Sequence, residues 1–374
     1  MAAGQAVRAL GKASDLPILE RHTKSLSTSC TQCAEGQKLV LFVTGVCDTG
    51  CFYCPLSDTR NHNPAMYANE RLCLGKDPSK LAAQVIEEAH AMGATGMGVT
   101  GGDPMLVPEL TLEMVRRVKA EFGPGFDIHL YTSKHPERAL LRRLKDAGLD
   151  EIRFHPHESH WMRLAGSPFE TSMRDARAVG LRVGFEVPAI PGVEVGLRRL
   201  LDFAQGLPVD YVNLNELEYT HTNGEELARR SLTVADDGSA AILGSKELAL
   251  MLVKEFGAAL PMHYCSSRFK DAVQLSNRIL RRAERTARPL DLLSKDGLIV
   301  VGVIESRDPA RTANRLMEEF EVPRELIAID PLEARVEVAA WVLEELAGEL
   351  TEKCFVVERY PTAEALEVER NPLN

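Results

Sequence analysis

The stretch DEIRFHP, residues 150–156, alternates apolar and polar positions, so Ile152 and Phe154 share one face of a strand while Arg153 and His155 share the other. The same split recurs in three further runs. In FDIHLYT (126–132), Ile128 and Leu130 oppose His129 and Tyr131; in RVGFEVPAI (182–190), Phe185 and Val187 oppose Glu186; in DYVNLNE (210–216), Val212 and Leu214 oppose Asn213 and Asn215. With KLVLFVTG (38–45) and GMGVTGG (96–102) the strand-like runs number six, separated by stretches of helical period such as PSKLAAQVIEEAHAMG and PERALLRRLKDAGL. Repeated β-then-α units imply a parallel sheet with right-handed crossovers. A doubly wound sheet is buried on both faces and reads as continuously apolar. These strands do not, so the chain is expected to be α/β, a partial (β/α)6 TIM-like barrel with apolar faces outward under the helices and polar faces lining a lumen.

A lumen lined by Thr100, His129, Tyr131, Arg153, His155, Glu186, Asn213 and Asn215 is costly to bury unpaired. Either it holds a polar ligand, which is the reading preferred from the sequence, or its members satisfy one another in a hydrogen-bonded network. Arg153 and His155 are the candidates for holding a substrate acid or moving a proton.

The remainder of the 374 residues divides around this barrel. Residues 1–37 read as an N-terminal extension ending in the CxxC pair Cys30 and Cys33, 38–265 as the barrel, 266–290 as a basic helix or linker, and 291–374 as a small C-terminal α/β domain opening on a strand pair around SKDGLIVVGVIE. The linker helix carries Arg268, Lys270, Arg278, Arg281, Arg282, Arg285 and Arg288. It is either a patch for phosphate groups, as on tRNA, or a helix packed on the barrel; a net charge of -10 favours the second. A composition of 45% hydrophobic and 26% charged residues excludes a disordered or fibrous chain. The apolar runs are too short to span a bilayer, and the start of the chain carries no secretory signal, so a cytoplasmic protein is expected.

Five of the eight cysteines fall between Cys30 and Cys54. GVCDTGCFYCPLS places Cys47, Cys51 and Cys54 in a CxxxCxxC spacing directly after the first strand. Three thiolates on one loop suit three corners of a 4Fe-4S cube, and they also suit a zinc site that borrows its fourth ligand elsewhere. Cys30 and Cys33, with His263 and Cys265 in HYCSS, are candidates for a second four-ligand site holding zinc or an auxiliary cluster.

The triplet, with Tyr53 just before its third cysteine, resembles the signature of the radical S-adenosylmethionine (SAM) superfamily. TGGDP resembles that family's glycine-rich motif at the end of the second strand, with Asp103 where Glu is commoner. The resemblance spans roughly 38–230. The IPG stretch at Ile190–Gly192 looks most like the pyruvate formate-lyase activating enzyme branch, and YANER (67–71), NLNELE (213–218) and HYCSS (263–267) look like an archaeal-type group within it. The resemblance implies a 4Fe-4S cluster on Cys47, Cys51 and Cys54 whose fourth iron is chelated by SAM, with Tyr53, Gly101, Gly102, Asp103, Glu186, Asn213 and Asn215 as cofactor-binding residues. It implies reductive cleavage of SAM to a 5′-deoxyadenosyl radical that takes hydrogen from a protein glycine, a tRNA or a small metabolite, and a low-potential electron donor of ferredoxin or flavodoxin type. The reading from another class is a non-catalytic zinc- or cluster-binding regulatory protein on a barrel scaffold.

Overall fold

The computed structural model describes residues 20–374. Its larger sheet has ten strands: β1 (Glu20–His22), β2 (Lys38–Phe42), β3 (Met66–Ala68), β4 (Arg71–Cys73), β5 (Gly96–Thr100), β6 (Asp127–Thr132), β7 (Glu151–Phe154), β8 (Arg182–Ala189), β9 (Tyr211–Glu216) and β10 (Met262–Cys265). Strands β2 and β5 to β10 run parallel and in sequence order, so a seventh parallel strand, HYC with Met262 before it, extends the expected six. β1 covers the β10 edge and the β3–β4 hairpin covers the β2 edge, both antiparallel, so the sheet curves without closing on itself.

The faces fall as the alternation requires. Ile128, Leu130, Ile152, Phe154, Phe185, Val187, Val212 and Leu214 are buried in one core under the helices. Several of those helices are stopped by glycine in the left-handed conformation, such as Gly93 and Gly148.

The segment expected to be an extension is part of the barrel. Residues 1–19 lie outside the described residues, but from Glu20 onward the chain adds β1 and then a short helix, Thr28–Ala34, capped by the Ser27 hydroxyl. This helix stands across the N-terminal ends of the strands. Ser29 donates to the Asp127 carboxylate at 2.7 Å, Gln32 donates to the Thr95 carbonyl at 3.0 Å, and Lys38, buried at the start of β2, donates to Ser29, Gln32 and Asp127 at 3.1 Å each. It acts as a plug.

The basic segment continues from β10 as a helical run, Ser267–Phe269, a π-helical turn at Lys270–Leu275, and Ser276–Thr286. Asn277 donates to the Ala34 carbonyl of the plug at 2.7 Å. Beyond it lies a separate core on an antiparallel sheet of β11 (Leu292–Leu293), β12 (Ile299–Glu305), β13 (Ile327–Asp330), β14 (Arg335–Val338), β15 (Cys354–Arg359) and β16 (Glu367–Pro372). SKDGLIVVGVIE holds the turn and second strand of the β11–β12 hairpin, β11 lying just before it, with Gly297 supplying the positive φ of the turn.

Candidate active site

Cys47, Cys51 and Cys54 lie on the loop that leaves the C-terminal end of β2, all three half-buried and free. Next to this loop the end of β5 comes very close. The Gly102 amide donates to the Thr44 carbonyl at 2.6 Å and the Asp103 amide to the Val46 carbonyl at 2.9 Å. A Cβ on Gly101, whose φ is +146°, would strike the Thr44 carbonyl, and one on Gly102 would strike that of Val46. The glycines are therefore needed for one loop to carry the other.

Asp103 is buried and its carboxylate is taken up by the protein. It accepts from the Met105 amide at 2.9 Å, the Thr132 hydroxyl at 2.9 Å, and the amide and hydroxyl of Ser133 at 2.7 Å. The expected ligand contact thus becomes a clamp between the ends of β5 and β6. Sequence reasoning missed Thr132 and Ser133, whose only signal is their position at a strand end.

Tyr53 reaches from the cysteine loop to the lumen. His155 Nδ1 lies 2.6 Å from the Glu186 carbonyl, which can only accept, so Nδ1 carries the proton. Burial holds the imidazole below its usual pKa, so the ring is neutral and Nε2 accepts from the Tyr53 hydroxyl at 3.1 Å. With both nitrogens engaged, His155 holds Tyr53 in place.

Deeper in, Glu186 is the hub. One carboxylate oxygen accepts from Arg153 at 2.9 Å and Tyr211 at 3.3 Å; the other accepts from Asn215 at 2.6 Å and from Asn213. Arg153 also meets Glu151 and, at 3.3 Å, the Tyr131 hydroxyl. The lumen residues therefore form a network of their own, the less favoured of the two readings. It is incomplete: both nitrogens of buried His129 and the Oδ1 of Asn213 have no partner. A buried polar atom without a partner costs free energy, and these two open toward the same interior as the network.

The residues fit the group that the motif implies. Burial pushes the Cys51 thiol up to about 12 and raises that of Cys54; the neighbouring charges that add to the rise at Cys51 are Cys54, Glu158 and Cys47. The cations beside this loop are engaged elsewhere, Lys134 with Asp48 and Arg230 over the Phe52 ring. Thiols in such a field become thiolates when bound metal supplies the positive charge.

The second candidate set is arranged differently. Cys30 is buried against the Tyr211 hydroxyl at 3.1 Å and Arg153 Nη2 at 3.9 Å. Burial pushes its thiol up, but Arg153 and His263 outweigh it and bring it down to about 7. His263, driven down by burial and up by Cys30 and Glu20, comes to about 9. Cys33 is raised to about 11, mainly by burial. Among the described residues no three His, Cys, Asp or Glu side chains are gathered closely enough to grip a single metal ion. A closed tetrahedral zinc site, which needs sulfur within about 2.3 Å of the metal, is therefore not formed at either cysteine set in this geometry.

The arginine-rich helix offers no free phosphate patch. Arg281 donates to the Gly93 carbonyl at 2.9 Å and Arg285 to that of His90 at 3.3 Å, while Arg282 pairs with buried Glu88 at 3.2 Å and Arg278 with Glu70 at 2.5 Å. Lys270 pairs with Glu218 at 2.5 Å, Arg268 donates to the Asp237 carbonyl at 3.0 Å, and Arg288 pairs with Asp291 and Glu337 at 2.7 Å each. No described helix is long and apolar enough to cross a membrane.

Comparison with known proteins places the chain in a family. Residues 41–204 match the family model described as the radical SAM superfamily, and 297–373 match one described as a domain of unknown function, DUF8061. A protein of Methanocaldococcus jannaschii, provisionally named a glycyl-radical enzyme activating enzyme, is 36% identical over 372 residues, covering 95% of each chain. A GTP 3′,8-cyclase of Lactiplantibacillus plantarum is 32% identical over 112 residues, 30% of this chain and 31% of its own. Among solved structures, methylornithine synthase is 15% identical with a TM-score of 0.43, covering 64% of this chain and 68% of its own. SuiB of Streptococcus suis is 11% identical with a TM-score of 0.41, covering 62% of this chain and 50% of its own. On the near-complete match to the archaeal protein and the family model over the barrel, the chain is an enzyme and belongs to the radical SAM superfamily.

Proposed function

We propose that this enzyme holds a 4Fe-4S cluster on Cys47, Cys51 and Cys54, binds SAM at the remaining iron, and removes hydrogen from a glycine of a partner protein. The observation that carries the reading is the loop of three free, half-buried thiols at the mouth of a polar lumen. Support for a protein glycine comes from the provisional name of the archaeal relative. The docked arginines speak against tRNA.

Bound there, the cluster would supply an electron for cleaving the sulfonium of SAM, with the 5′-deoxyadenosyl radical as the hydrogen acceptor. The chain's own residues do the rest. Gly101 and Gly102 hold the cysteine loop against β5, and Asp103 fixes that strand end to Ser133. Tyr53 and His155 set the depth of the loop over the lumen. Glu186, Asn213 and Asn215 present a carboxylate and two amides suited to hydroxyls and to an amino-acid end group. Arg153 stays charged and, tied to Glu151 and Glu186, orients Glu186. The electron comes from a low-potential donor of ferredoxin or flavodoxin type.

The test is isotope transfer. Protein reconstituted anaerobically with iron and sulfide is reduced with dithionite in the presence of SAM and of proteins from cells grown on Cα-deuterated glycine. Deuterium in the recovered 5′-deoxyadenosine is expected. Abundant 5′-deoxyadenosine free of deuterium would rule out the glycine substrate.

A further inference from the structure

We propose that the plug carries a second iron–sulfur cluster, held by Cys30, Cys33 and Cys265 with His263 as its fourth ligand, on the opposite side of the lumen network from the Cys47–Cys54 loop.

The four donors come from two short segments and converge on one interior space. Cys30 and Cys33 stand one turn apart on the plug helix, and His263 and Cys265 alternate on β10, in register with the lumen residues Asn213 and Asn215. Cys265 and Phe269 form a small cluster against which Ala34 of the plug packs. His263 is nearly fully buried, 3% exposed, and lies beside the Cys30 thiol. Its Nε2 is 3.0 Å from the Glu20 carboxylate, while its Nδ1 makes no well-aligned hydrogen bond and the ring lies within reach of the Cys30 thiol. An imidazole fixed by a carboxylate on one nitrogen, with a thiol beside it, matches the arrangement of a metal-ligating histidine.

The charges point the same way. Each thiol faces its own cation: Arg153 at Cys30, Lys38 at Cys33 and Lys270 at Cys265. Arg153 and Lys38 are buried. Against burial, Arg153 and His263 bring Cys30 below its usual value, while burial still holds Cys33 and Cys265 above theirs. Two sulfurs also have hydrogen-bonding neighbours, the Tyr211 hydroxyl at Cys30 and the Gln274 amide at Cys265, 3.5 Å away. Gln274 and Lys270 are both presented by the π-helical turn, a distortion that recurs at functional sites. Contacts of this kind tune the potential of a cluster.

Among the described residues no three His, Cys, Asp or Glu side chains meet at a point, here or at the Cys47–Cys54 loop. A single zinc ion needs all its donors at one centre. A cuboidal cluster presents its irons at separate corners, so wider donors suit it.

The test separates the two sites. Full-length protein bearing Cys47→Ala, Cys51→Ala and Cys54→Ala is reconstituted anaerobically and analysed for iron, sulfide and zinc. About four iron and four sulfide per chain are expected to remain, and to be lost when Cys30→Ser and Cys33→Ser are added. A triple variant without iron, or with one zinc in its place, would overturn the proposal. His263→Cys in the triple variant guards against simple loosening of the plug: it should keep the iron and change the electron paramagnetic resonance spectrum of the reduced protein. Unchanged resonances would remove His263 from the ligand set and overturn the assignment. The wild type losing about four iron on mutation of the loop tests the first site independently.

Discussion

The two cysteine sets of this barrel sit in opposite electrostatic surroundings. At the C-terminal end of the strands, Cys47, Cys51 and Cys54 share one loop, half-buried, and the charges raising Cys51 are all acidic. At the plug, the thiols come from a helix and a strand and face Arg153, Lys38 and Lys270. The first set is raised by burial and by acidic neighbours, and its exposure leaves room for an outside ligand. The second has cations of the protein beside it, with Cys30 and Cys265 buried beneath the lumen network and Cys33 partly exposed. Openness and countercharge together distinguish a site where chemistry is exchanged from one that is enclosed.

Breaking the open end should have the largest effect. Cys51→Ala is expected to reduce dithionite-driven 5′-deoxyadenosine formation at least about a thousandfold, equivalent to roughly 4 kcal/mol, with the helical content of the protein unchanged. Chromatographic quantitation of the nucleoside checks it.

The plug end should respond in stability. Asp127 accepts from Ser29 and Lys38 and also pairs with Arg182, and its carboxyl, raised by burial but lowered more by Lys38, Ser29 and Arg182 together, falls to about 2. Asp127→Ala leaves Lys38 buried without its partner and should cost about 3–5 kcal/mol in urea denaturation. Asp103, the clamp at the other end, is a smaller case because its donors are hydroxyls and amides. Asp103→Ala should cost about 1–3 kcal/mol, accompanied by weaker SAM binding if the clamp positions the loop.

How far each end could be read from the sequence differs for physical reasons. The alternation around Arg153 and Glu186 located the lumen, because a strand fixes side-chain direction every second residue. The CxxxCxxC loop located the open end. The plug was not legible: a helix of seven residues, Thr28–Ala34, is too short to show a period, and it is held by polar side chains rather than an apolar face. Lys38 was read as part of an apolar strand, although a lysine opening such a run was the available signal. The arginine-rich helix reads the same whether its charges meet water or carbonyls, so only the contacts of Arg281 and Arg285 decide.

The smallest effect concerns pH. Burial holds His129 well below its usual pKa, so the folded chain leaves it neutral while the unfolded chain protonates it below its ordinary value of about 6.5. Stability should therefore decline as pH falls from about 6.5, by at most about 1.4 kcal/mol per unit from this residue. His129→Gln should flatten the slope between pH 6.5 and 5.5 in urea titrations; an identical slope would show that His129 is protonated in the folded state.

The most direct test of the open-end account is electron paramagnetic resonance of the Cys30→Ser, Cys33→Ser protein, reduced with and without SAM. The spectrum of a reduced cluster is expected, with resonances that shift on addition of SAM, because one iron is left for an outside ligand. A spectrum indifferent to SAM, or a loop carrying one zinc ion and no iron, would contradict it.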